Sequence, residues 1–85
     1  MTEEEIVRRV RVLYPEAVVD VAGEGCNFEL YVVSDAFAGQ NTLQRQKPIL
    51  SLFKDDIRNG TLHALSVQAK TPAEQAGQGG LVQIA

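Results

Sequence analysis

The chain has 85 residues, 45% of them hydrophobic and 22% charged, with a net charge of −3; this is enough for one domain and its core. No apolar run reaches the roughly 18 residues of a membrane helix, and the acidic balance argues against strong nonspecific nucleic-acid binding. One cysteine (Cys26) and one histidine (His63) exclude an internal disulfide and a four-ligand zinc site, so any metal held here must be shared with another molecule.

Thr2 with Glu5 three residues later is a capping-box signature, and Glu3–Glu5 suit the positive end of a helix dipole. Ile6, Val7, Val10 and Leu13 repeat at helical spacing before Pro15, which predicts a first helix over 2–14. This acidic opening is unlike a signal peptide, so a soluble, cytoplasmic chain with no membrane contact is expected.

Ala17, Val19 and Val21 alternate with Val18 and Asp20, and Phe28, Leu30 and Val32 alternate with Glu29, Tyr31 and Val33. These are two strands, and Gly23-Glu24-Gly25 between them reads as the flexible link of an antiparallel hairpin, with Cys26 at its tip or just past it. Ser34-Asp35 caps a turn carrying Phe37.

A long helix is expected from Thr42 to Arg58, with Leu43, Leu50, Phe53 and Ile57 on the inward stripe and Ile49 beside it. Pro48 implies a start near Arg45 or a kink, because an interior proline costs about 3 kcal/mol. Asn59-Gly60 ends that helix. Leu65, Val67 and Ala69 then alternate with Ala64, Ser66 and Gln68 in a last strand, closed by Thr71-Pro72 and one helical turn.

The sum is an α+β domain over 1–76, α-β-β-α(α)-β, with a three-stranded mixed sheet and helices on one face. A crossover helix between the second and third strands favours their parallel pairing. The core expected is Phe28, Leu30, Val32, Leu65 and Val67 against Ile6, Val10, Leu50, Phe53 and Ile57. Residues 77–85, Gly-rich and then Leu81-Val82-Gln83-Ile84-Ala85, read as a mobile tail.

Chemistry-bearing motifs are few. No phosphate-binding glycine loop occurs, Asp55-Asp56 read as a solvated helix face, and no Ser/His/Asp set can be built, so an enzyme is not expected. His63 sits where the last strand begins. A lone histidine there is ordinarily structural, its ring half buried with one nitrogen bonded, unless a partner group lies nearby.

Three stretches in order carry a resemblance. They are Phe28-Glu29-Leu30-Tyr31-Val32-Val33 running into Ser34-Asp35-Ala36-Phe37-Ala38-Gly39, then Leu43-Gln44-Arg45-Gln46-Lys47-Pro48-Ile49-Leu50, then Leu62-His63-Ala64-Leu65-Ser66-Val67 with Thr71-Pro72-Ala73-Glu74. Together they resemble the BolA family, in its YrbA/IbaG-like bacterial branch, over about residues 3–76.

The resemblance implies a fold similar to class II KH domains and a partnership with a monothiol (CGFS-type) glutaredoxin. It also implies a [2Fe–2S] cluster shared with glutaredoxin and glutathione, in iron–sulfur trafficking, iron regulation or a stress response. His63 matches the family's ligand histidine. A second ligand comes from the loop before the second strand, here within 23–27, which makes Cys26 the candidate beside its alternative as a small buried or idle thiol.

Such a cluster takes four ligands, with imidazole an allowed replacement for thiolate. If glutaredoxin and glutathione supply two sulfurs, two positions remain for one cysteine and one histidine; the isolated chain is expected to carry no cofactor. The sequence departs from the family at Asn27, where this branch often has histidine, at Gln46 in place of a helix histidine, and at Gln75 in place of tryptophan.

The rival reading is weak nucleic-acid binding by the basic long helix (Arg45, Lys47, Lys54, Arg58) in a transcriptional role. The turn Ala38-Gly39-Gln40-Asn41, however, lacks the second glycine of a KH GxxG loop. A third reading is an adaptor that binds glutaredoxin without a cluster.

Overall fold

The computed structural model describes residues 1–76; the tail expected over 77–85 lies outside the described residues. Its elements are α1 (Glu3–Leu13), β1 (Val18–Glu24), β2 (Asn27–Val33), a 3-10 turn (Asp35–Phe37), α2 (Thr42–Ser51), α3 (Lys54–Arg58) and β3 (Ala64–Lys70), followed by a helical turn over 72–76. The sheet order is β1-β2-β3, with β1 antiparallel and β3 parallel to β2. This is the expected α+β arrangement.

Register sorts the sheet into two faces. Val19–Val32–Ala69, Val21–Leu30–Val67 and Gly23–Phe28–Leu65 form the covered rows, and Asp20–Tyr31–Gln68 and Ala22–Glu29–Ser66 the open ones. The covered face meets Ile6 and Val10 of α1, Phe37, Ile49, Phe53 and Leu62, which form one buried cluster.

At α1, Thr2 accepts the Glu5 N–H as expected, at 3.1 Å. The Glu5 carboxylate does not complete the capping box. It binds Arg8 (2.6 Å) and Arg9 (2.8 Å) instead, and these hydrogen bonds hold its pKa down to about 2. Arg9 also reaches Asp56 and the Leu52 carbonyl, and its guanidinium lies 5.5 Å from the centre of the Phe53 ring. One side chain thus ties α1 to the joint between α2 and α3.

The hairpin is tighter than the sequence suggests. Gly23 and Glu24 pair with Phe28 and Asn27, leaving a two-residue turn, Gly25-Cys26. Gly25 has φ +66° and Cys26 a negative φ, the pattern of a type II′ turn, whose twist matches the flanking strands. Gly23, expected in the link, belongs to the strand.

The long helix is also different. It starts at Thr42, where Asn41 and Gln44 form a reciprocal capping box (both bonds 2.9 Å), carries Pro48 in its second half and breaks after Ser51. Its inward face is Arg45, Gln46, Ile49 and Phe53, whereas Leu43 is 70% and Ile57 41% exposed. The reason is the sheet edge. Gln46 donates to the Val67 carbonyl (2.8 Å) and Arg45 to the Ala69 carbonyl (3.1 Å), covering acceptors that the edge strand β3 would otherwise leave open.

Arg45 further binds the Gln40 carbonyl (2.9 Å) and both carboxylate oxygens of Glu74. Glu74 and Thr71 exchange backbone and side-chain bonds (3.0 and 3.1 Å), so Thr71-Pro72-Ala73-Glu74 is a capping box with proline at the first helical position. The Arg45 bond and the Thr71 N–H lower the Glu74 pKa from 4.5 to about 2. A group depressed in the folded state stabilises above its unfolded pKa and loses that contribution as pH falls through the folded one. Between pH 4.5 and 2 a Glu5→Gln/Glu74→Gln variant should therefore show a flatter decline in Tm than the parent, and high salt should shrink the difference.

Candidate metal centre

The only cysteine and the only histidine meet at one end of the sheet. The Cys26 carbonyl accepts the N–H groups of His63 (2.8 Å) and Ala64 (3.2 Å), joining the hairpin tip to the start of β3. The next pair along, Asn27 with Ala64, begins the parallel register.

Both sides of this joint are held. Leu62, which the sequence reading left out of the core, is fully buried, and its N–H donates to the Asp56 carbonyl at 3.0 Å. Asn59 Oδ1 accepts the Thr61 N–H (2.9 Å), and Gly60 takes φ +84°, so the segment from α3 to His63 is a tight bend. On the hairpin side, Phe28 is anchored in the core two residues after Cys26.

His63 is exposed and Cys26 half-buried with a free thiol. A structural histidine with a half-buried, hydrogen-bonded ring is not what the fold presents. The donor set is one thiol and one imidazole on adjacent backbone positions, and no cluster of three or more metal-ligating side chains occurs among the described residues. Such a pair fits half of a four-coordinate shared site and cannot close one alone.

The cations named for nucleic-acid binding are dispersed. Arg45 is committed to Glu74 and to two carbonyls, and Arg58 lies 4.0 Å from Asp55. Lys47 and Lys54 remain exposed on the outer side of α2 and α3, flanking the apolar residues that turned outward. That surface was missed because Leu43 and Ile57 looked like core; the lysines at the same seven-residue interval were the available sign. No helix of the described residues is long and apolar enough to cross a membrane.

A family model described as BolA-like protein matches residues 10–74. The chain belongs to the BolA family. Among its relatives is the acid stress protein IbaG of Escherichia coli (strain K12), 33% identical over 58 residues, covering 68% of this chain and 69% of that one, which supports the bacterial YrbA/IbaG-like branch. SufE-like protein 1 (chloroplastic/mitochondrial) of Arabidopsis thaliana is 50% identical over 48 residues, 56% of this BolA-family chain but 13% of that longer protein. The solved BolA homologue from Coxiella burnetii superposes with a TM-score of 0.72 at 27% identity, over 89% of this chain and 97% of that one.

Proposed function

We propose that this chain is a non-enzymatic BolA-like partner of a monothiol, CGFS-type glutaredoxin, and that the two share a [2Fe–2S] cluster with glutathione in iron–sulfur trafficking or iron regulation. The supporting observation is the main-chain bond from the His63 N–H to the Cys26 carbonyl, which makes the exposed histidine and the chain's single cysteine neighbours across the end of the sheet. His63 and Cys26 are the two ligands this chain offers. Imidazole in place of thiolate on one iron would raise the cluster's potential. The likeness to an acid stress protein agrees with a stress-response setting.

The test is visible absorbance of the chain copurified with a monothiol glutaredoxin and glutathione. A coloured heterodimer whose spectrum differs from that of the glutaredoxin homodimer is expected, because nitrogen replaces sulfur on iron. His63→Ala should remove the difference and leave apo association intact by size exclusion; Cys26→Ala tests the thiol in the same way. An unchanged spectrum and unchanged cluster lability in His63→Ala would sink the ligand assignment. Salt-sensitive retention on duplex DNA in place of glutaredoxin binding would favour the nucleic-acid reading.

A further inference from the structure

Leu43, Leu50 and Ile57 recur every seven residues on the outer side of α2 and α3, with Lys47 and Lys54 at the same interval between them. Leu43 is 70% and Ile57 41% exposed, whereas Leu50 is half-buried, packed on the core with part of its side chain facing the groove. A straight helix would raise such a stripe as a ridge. The break after Ser51 folds it instead into a groove of about 450 Å³, lined by Leu43, Lys47, Leu50, Ser51, Lys54 and Ile57. Its floor is apolar, and neither lysine forms an ion pair among the described residues, although the chain as a whole is acidic.

We propose that this groove seats an amphipathic helix of a partner protein, with its apolar face on Leu43, Leu50 and Ile57 and its carboxylates against Lys47 and Lys54. An apolar floor with lysines in its lining is what the helix-in-groove mode requires, the apolar side of the partner seating on the floor and the lysines favouring carboxylates. Nucleic acid is a poorer occupant, because the Ser51 hydroxyl in the lining is already donated to the Lys47 carbonyl and two lysines are too few to displace many counterions. A membrane surface would need a convex apolar face and more cations, whereas Asp55 and Asp56 sit on the same short helix. A second copy of this chain lacks the matching face: in α1, Glu3 and Glu4 lie at one end and the exposed Val12 and Leu13 at the other. The proposal does not depend on the cluster reading, since His63 and Cys26 take no part in the groove.

The test is amide chemical-shift mapping with two blocked synthetic helices of about five turns. They share leucines at the a and d positions and carry glutamate in one and lysine in the other at e and g. The acidic peptide should shift the amides of Leu43, Lys47, Leu50, Lys54 and Ile57. Lys47→Glu/Lys54→Glu should weaken it at least about tenfold and admit the lysine peptide. Leu43→Asp, at an exposed site that leaves the fold intact, should abolish binding of either, and His63→Ala should change nothing. Equal uptake of both peptides, no shift with the acidic one, or the same amides responding only to duplex DNA, to anionic phosphatidylglycerol vesicles or to protein concentration would each overturn the proposal.

Discussion

Phe53→Ala lowers the stability of this domain by about 3–5 kcal/mol, the range for an aromatic side chain removed from a closed core. Phe53 is fully buried at the joint between α2 and α3, where it meets the covered sheet face and lies beneath the guanidinium of Arg9. Truncation leaves a cavity that the helices cannot collapse into without moving Arg9 off Asp56 and the Leu52 carbonyl. For a domain of this size each kcal/mol shifts Tm by about 4–8 °C, so thermal unfolding should fall by more than about 12 °C. Ile57→Ala, on the exposed side of α3, is the comparison and should cost less than about 1.5 kcal/mol. If Ile57→Ala proved the more damaging of the two, the inward face of this segment would be wrongly assigned.

Gly23→Ala is expected to cost about 2–3 kcal/mol, near the upper end for a residue forced into a sparsely populated backbone region. Gly23 sits at φ +117°, and a Cβ there would lie 2.3 Å from the Asn27 carbonyl oxygen and 3.0 Å from the Phe28 Cα. Both obstacles are backbone, so no side chain can swing aside. The displacement must pass into the Gly25-Cys26 turn, and hydrogen exchange at His63 and Ala64 should accelerate as the Cys26 carbonyl moves away from them. Gly25→Ala is the control, since Gly25 has φ +66° with nothing within 4 Å of its Cβ position, and only the backbone cost of a positive φ applies, without a clash. Equal Tm values for the two variants would contradict this account of the hairpin.

Much of this architecture was legible because local rules and tertiary packing agree. The Thr2 cap, the alternation in both hairpin strands and the Asn59-Gly60 stop each act within a few residues, and each appears where expected. Two of the differences arise where distant groups decide. Arg45 and Gln46 look like surface residues, yet they face inward because the carbonyls of Val67 and Ala69, more than 20 residues away, need donors. With those two inside, α2 turns Leu43 outward, the break after Ser51 leaves Ile57 on a separate short helix, and no periodicity within the segment records that need. Gly23 resembled a loop glycine because the contact that demands it comes from Asn27 across the ladder.

The candidate site was legible in part for the same reason. The resemblance points to its donors, the histidine opening the last strand and a residue of the loop over 23–27, and the chain has one imidazole and one thiol to offer there. Their adjacency depends on where the hairpin turns, and a turn placed over Gly23–Gly25 left open whether Cys26 stood at its tip or beyond it.

The joint between hairpin tip and last strand is made by the main chain of residue 26, which lends its carbonyl twice and asks nothing of its own side chain. Position 26 also has an ordinary negative φ, so the backbone there accepts almost any residue. Evolution can therefore exchange thiol for imidazole or hydroxyl at this point without disturbing strand register. Donor chemistry and architecture are separate traits in this fold, free to drift at different rates.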